Sequence, residues 1–243
     1  MHRSLQIAGA AAAAKIVNVV VTGWLGTALD LAYIANHMWN VEYNPRRFSA
    51  AILRFRSPLT SKKSTIVVGG GGGGAAAARG SGTTVLLFST GRYVCTGAKS
   101  VADAKVAARR FARKIQQLFI ASSNSNKPSG DSNNSNNNSK EKKKKIIRFC
   151  NFQVQNIVGH FCTGHRIDLP SLYNHRRVQC DWKQERFPAG LRYQPHRSSN
   201  PSHCVLVFPS GRCVITGCKS EEEIDEIYME MKRLLLRYRR TTL

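Results

Sequence analysis

Apolar positions along the chain fall into two kinds of pattern. Ile16–Thr22 and Val154–Val158 are β-branched runs and read as strands. Leu31, Ile34, Ala35 and Met38 recur at intervals of three and four, the spacing of one helix face, and Leu169–Arg176 is a shorter equivalent. Extended segments are expected over Phe48–Arg56 and Phe187–Tyr193. Thr83–Phe88 and Arg92–Thr96 flank a Ser-Thr-Gly turn and predict a hairpin. A long helix follows Ser100. Its spacing turns Ala104, Ala107, Phe111, Ile115 and Leu118 inward and Lys105, Arg109, Arg110, Arg113 and Lys114 outward. Another long helix follows Ser220, where Ser220 and Glu223 fit a capping box.

These elements occur twice in the same order. Ile16–Val21 resembles Val154–Gly159, and Val85–Ser100 matches Val205–Ser220 without a gap, identical at most of its sixteen positions. The chain is therefore a tandem duplication. Asn18 to Asn156 spans 138 residues and Phe48 to Phe187 spans 139, but Phe88 to Phe208 spans only 120. The first copy thus holds 19 extra residues between its two phenylalanines, where six glycines (Gly69–Gly74) and four alanines lie. The expected organisation is a leader over 1–14, a first repeat over 15–120 with an insertion at about 61–82, a linker over 121–148 and a second repeat over 149–240. The linker is serine- and asparagine-rich and ends in Lys142–Lys145, a composition that orders poorly and suits nuclear import or a solvated tail equally. The alanine-rich leader with Arg3 reads as a frayed end rather than a targeting peptide.

Charge narrows the partner class. The net charge is +23, with +13 in residues 1–120 alone, and the isoelectric point is near 10.3. Such an excess suits nucleic acid or an anionic surface. No run of 18 apolar residues is present, which excludes a membrane-spanning helix. Seven cysteines without a CxxC pair argue against a disulfide scaffold and a zinc ribbon. No cofactor and no metal site are expected. Cys162-Thr163-Gly164-His165 has ligand residue types, but only as a single pair.

Helices on one sheet face leave the other open. Strand alternation assigns to that open face Asn18, Val20, Leu86, Phe88, Arg92, Val94 and Thr96, and Asn156, Val158, Leu206, Phe208, Arg212, Val214 and Thr216. A surface of Val, Leu, Thr and Phe with two asparagines is odd for water and suits the floor of a minor groove, with arginines toward the phosphates. Antiparallel neighbours bring Phe48 to Phe88 and Phe187 to Phe208. Such pairs are either core residues or wedges that part base steps, at a cost of a few kcal/mol per step.

The residues that decide between those readings are Gln155-Asn156-Ile157-Val158, Leu29-Asp30-Leu31, Glu42–Ala50 (Glu-Tyr-Asn-Pro-Arg-Arg-Phe-Ser-Ala), Cys95–Ser100, and Phe187-Pro188 followed by Ser210-Gly211-Arg212. Over about residues 15–120 and 149–240 the chain resembles the TATA-box-binding protein family. The resemblance implies an α+β fold: a pseudo-symmetric saddle of two repeats sharing one curved antiparallel sheet, with helices on the convex face. It implies intercalation by Phe48, Phe88, Phe187 and Phe208. It implies groove contacts by Asn18, Val20, Leu86, Val94, Thr96, Asn156, Val158, Leu206, Val214 and Thr216, and phosphate contacts by Arg47, Arg54, Arg92, Lys99, Arg212 and Lys219. The implied role is that of a nuclear, general initiation factor, not an enzyme. It would bend AT-rich double-stranded promoter DNA and assemble with transcription factor IIA- and IIB-type proteins, associated factors and the RNA polymerase machinery.

The chain also departs from that family. Val17 stands where glutamine is usual, and Arg192-Tyr193 reverses the usual order, which puts that phosphate contact in doubt. The acidic and apolar patch that meets factor IIB reads Lys183, Glu185 and Arg186 here, so the expectation is either a compensating acid on the partner or docking elsewhere, on the helix bearing Arg109 and Arg113. The alternatives are a related factor with altered DNA preference and partners, and a repair glycosylase with a similar saddle domain. The latter lacks a lysine and aspartate in a helical hairpin.

Overall fold

The computed structural model describes residues 13–56, 82–124, 146–183, 185, 187, 189–195 and 201–240. The glycine-rich insertion, most of the leader and all but the ends of the linker lie outside these. The described chain divides into two compact units, one within 19–154 and one made of 13–18 with 155–240.

The first copy runs β1 (Lys15–Trp24), α1 (Leu31–His37), β2 (Val41–Glu42), β3 (Ala50–Arg56), β4 (Gly82–Phe88), β5 (Arg92–Ala98) and α2 (Val101–Asn124). Its strands order as β2-β3-β4-β5-β1 with antiparallel neighbours. The second runs β6 (Cys150–Cys162), α3 (Leu169–His175), β7 (Cys180–Asp181), β8 (Leu191–Tyr193), β9 (Cys204–Val207), β10 (Arg212–Cys218) and α4 (Glu221–Leu236), ordered β6-β10-β9-β8-β7. The α+β class and the duplication therefore stand.

Local chemistry sets the ends of the elements. Asp30 and Asp168 cap α1 and α3 by accepting the amides of Tyr33 and Ser171. Ser171 Oγ adds a 2.6 Å bond that holds the Asp168 carboxyl below its usual range. Ser100 and Ser220 accept from Asp103 and Glu223 at the starts of α2 and α4. The capping box at Ser220 is displaced by one residue, because Glu223 reaches the amide of Lys219 (2.7 Å) rather than that of the cap itself.

Each hairpin turns through three residues, Ser89-Thr90-Gly91 or Pro209-Ser210-Gly211. The Gly91 and Gly211 amides return to Phe88 and Phe208 at 2.9 Å, and both glycines have positive φ (79° and 82°).

The core lies between sheet and helices. Val85, Leu87, Tyr93 and Cys95 are fully buried, with β5 packed against α2, and Val205, Val207, Cys213 and Ile215 likewise, with β10 packed against α4. The inward stripe of α2 differs from the expected one. Ala108 and Ala112 are buried with Ala104, Phe111 and Ile115, while Ala107 and Leu118 are half-buried. Adjacent alanines at 107 and 108 leave periodicity unable to choose between them. The segment expected to be extended from Phe187 pairs only over Leu191–Tyr193, because the Phe187 amide turns back to the Lys183 carbonyl at 2.8 Å. In the first copy the Phe48 amide does the same to Asn44 at 3.0 Å.

Candidate nucleic-acid interface

Alternation along the strands divides inward from outward residues as the sequence predicts. All ten groove candidates, from Asn18 and Val20 to Val214 and Thr216, are half-buried, while their chain neighbours Val19, Val21, Val85, Leu87, Tyr93, Cys95, Ile157, Val205, Val207, Cys213 and Ile215 are fully buried. Register adds residues that sequence reasoning missed. The row Ile52, Leu86, Val94, Thr22 crosses the first sheet, and the row Arg192, Leu206, Val214, His160 crosses the second. Arg192 is exposed on the open face, so the reversed Arg-Tyr order still presents an arginine there. Its Nε lies 3.2 Å from Cys204 Sγ.

A bulge aims the central polar group. In both copies the register of the hairpin's last strand slips at a glycine of positive φ, Gly97 (101°) and Gly217 (91°). In the second copy this turns the Gly217 amide onto Asn156 Oδ1 at 2.8 Å, and Asn156 Nδ2 reaches Thr216 Oγ1 at 3.2 Å. The backbone bond fixes which way the Asn156 amide faces.

The phenylalanines meet as expected, within each unit. The Phe48 and Phe88 ring centroids are 6.4 Å apart at 67°, and those of Phe187 and Phe208 are 6.0 Å apart at 75°. Edge-to-face packing stabilises each pair. Phe48 and Phe187 remain 43% and 42% exposed, so neither is a core residue, while Phe88 and Phe208 are half-buried.

The cations are arranged around these features. Arg47, Arg92, Lys99, Arg212 and Lys219 are exposed. Arg54 is also exposed but holds Glu42 at 3.2 Å, a pair in which both side chains are open to water. Such a pair contributes little and yields readily to a phosphate. On the candidate partner surface, Lys183 and Glu185 are exposed and Lys183 lies 3.9 Å from Asp181. Arg186 is outside the described residues. Arg113 is exposed, and the Arg109 guanidinium lies over the Phe149 ring at 5.6 Å.

The sequence model of the family described as transcription factor TFIID, or TATA-binding protein, matches residues 13–118 and 151–238. The chain belongs to the TATA-box-binding protein family. It is 35% identical over 224 residues to the TATA-box-binding protein of Acanthamoeba castellanii, covering 92% of this chain and 67% of that one. It is 32% identical over 226 residues to TATA-box-binding protein 2 of Entamoeba histolytica, covering 93% and 82%. The solved structure of the Methanococcus jannaschii TBP shares the fold, with a TM-score of 0.59, 24% identity, and coverage of 93% of this chain and 99% of that one. With membership comes the role of a general transcription initiation factor, in a family of non-enzymatic DNA-binding proteins.

Other chemistry follows from burial. Burial pushes the thiols of Cys95 and Cys213 up to about 12, so both stay protonated and unreactive. The Cys162–His165 pair gathers no further ligand among the described residues, and His165 Nε2 lies 3.4 Å from the Leu235 carbonyl. A different trio of ligand-type side chains converges: His203, Cys218 and Glu223. Their separations in sequence match no compact ligand motif, so nothing in the linear pattern flags them.

Proposed function

We propose that this protein binds AT-rich promoter DNA through the minor groove, bends it by inserting its two phenylalanine pairs, and nucleates assembly of the initiation complex. The observation that carries the reading is the exposure of Phe48 and Phe187, each packed on a partner ring beside an apolar, asparagine-bearing sheet face. The amides of Asn18 and Asn156 would read the centre of the site, Val20, Val94, Val158, Val214, Leu86 and Leu206 would line the sugars, and the arginines and lysines would take phosphates. Factor IIA- and IIB-type proteins are the expected partners, in the nucleus. The altered Lys183–Arg186 patch supports a IIB contact unlike the family's usual acidic one.

The test is a bending assay on AT-rich and GC-rich duplexes. Phe88→Ala with Phe208→Ala should abolish the bend while leaving salt-sensitive retention. Parent-like bending by the double variant refutes intercalation.

A further inference from the structure

We propose that the second repeat carries a zinc site formed by His203, Cys218 and Glu223. The three ligand atoms lie within 4.8 Å of one another. They come from three places: the residue before β9, the last residue of β10 and the first turn of α4. His203 is 6% exposed, Cys218 is fully buried, and the Glu223 side chain is 34% exposed. Imidazole, thiolate and carboxylate are the ligand types that zinc takes in tetrahedral sites, at roughly 2.0–2.3 Å. Binding would draw the three ligand atoms, now within 4.8 Å of one another, in to that geometry. The partly open side at Glu223 leaves the fourth position to water.

The charges balance. A thiolate and a carboxylate neutralise the divalent ion, and neutral imidazole adds nothing. Glu223 lies in the first turn of α4, where the helix dipole favours negative charge. Binding forms the Zn–S bond and releases the Cys218 proton to solvent. Because the ion displaces that proton, affinity falls as pH falls. The supporting shell is present without the ion. Ser220 Oγ accepts the Glu223 amide (3.2 Å), and the Lys219 amide donates to Glu223 Oε2 (2.7 Å). His203 Nε2 already lies 3.1 Å from that same oxygen.

The duplication supplies an internal comparison. At the hairpin offset of 120 residues the first copy carries Thr83, Ala98 and Asp103. There the serine cap is the same, with the Asp103 amide on Ser100 Oγ, and Thr83 and Ala98 are equally buried. The fold therefore needs neither the imidazole nor the thiol at these positions, and the second copy holds both.

The experiment uses the full chain, reduced and metal-free, with zinc delivered against a chromophoric chelator and cobalt(II) as a spectroscopic substitute. The expected result is one tight equivalent, a thiolate-to-cobalt charge-transfer band, and a thermal midpoint that rises with zinc. At a hundredfold excess over Kd, zinc should raise the folded-to-unfolded ratio about a hundredfold. Cys218→Ala and His203→Thr install the first copy's own residues, so folding should survive. The former should remove the band and the latter the tight equivalent. Glu223→Gln, which keeps the shape, should weaken binding without unfolding the chain. A folded parent that takes up no zinc overturns the site, as does a cobalt–thiolate band that persists in Cys218→Ala.

Discussion

Tyr93 is fully buried beneath α2, its ring 5.5 Å from that of Phe111, yet its hydroxyl finds no hydrogen-bond partner among the described residues. A buried donor without a partner forfeits its hydration, which costs about 1–3 kcal/mol. Burial also raises the phenol's pKa, so ionisation offers no escape at ordinary pH. Tyr93→Phe should therefore stabilise the protein by about 1 kcal/mol, read as a higher urea midpoint at unchanged slope. A loss of similar size would mean that the hydroxyl is bonded in solution. The sequence showed that Tyr93 points inward, because alternation settles that. It could not show that the hydroxyl presses against Gly23, where an added Cβ would meet the phenol ring. The zinc trio was hidden for the same reason. Pattern gives the side of a strand on which a residue lies, and contact across elements gives its neighbours.

At the scale of elements, both hairpins are held by the segment that follows the copy's first strand. The Leu25 and Leu29 amides bond Gly91 and Ser89 carbonyls, and the Thr163 and Ile167 amides bond those of Gly211 and Pro209. Gly91 must therefore hold a positive φ while lying against the Thr27 carbonyl, and Gly211 does likewise against that of His165. Gly91→Ala should destabilise by at least the roughly 1–2 kcal/mol of a left-handed alanine, with more from the collision. The Phe48–Phe88 pair sits at this loop, so bending should weaken too. Equal urea midpoints for variant and parent would show that the loop relaxes freely. The hairpins were legible because glycine, turn and alternation agreed. The length of β6 was not, since Asn151, Gln153 and Gln155 break the β-branched run while still pairing as strand. Nor was the exposure of Trp39 and Val178, which are 95% and 96% open and sit 139 residues apart at matching places in the two copies.

For the whole molecule, the question is how much of the +23 charge acts on DNA. Counterion release depends on phosphates contacted, not on net charge, and each contributes about −0.9 to the log–log salt slope. Arg47, Arg54, Arg92, Lys99, Arg212 and Lys219 are all exposed, so full engagement gives a slope near −5 by that coefficient. The six are not equivalent. Arg92, Lys99, Arg212 and Lys219 fall at matching places in the two hairpins, and none of them has a carboxylate within ion-pair distance among the described residues. Arg54 must first leave Glu42. Alanine at each of those four positions should thus lower the slope by about one, whereas Arg54→Ala should lower it by less and Glu42→Gln should strengthen binding at low salt. The measurement is a salt titration of affinity on one AT-rich duplex. A parent slope between 0 and −2 would mean that the basic excess meets some other partner. An Arg54→Ala effect equal to the others would mean that the ion pair with Glu42 does not persist in the free protein.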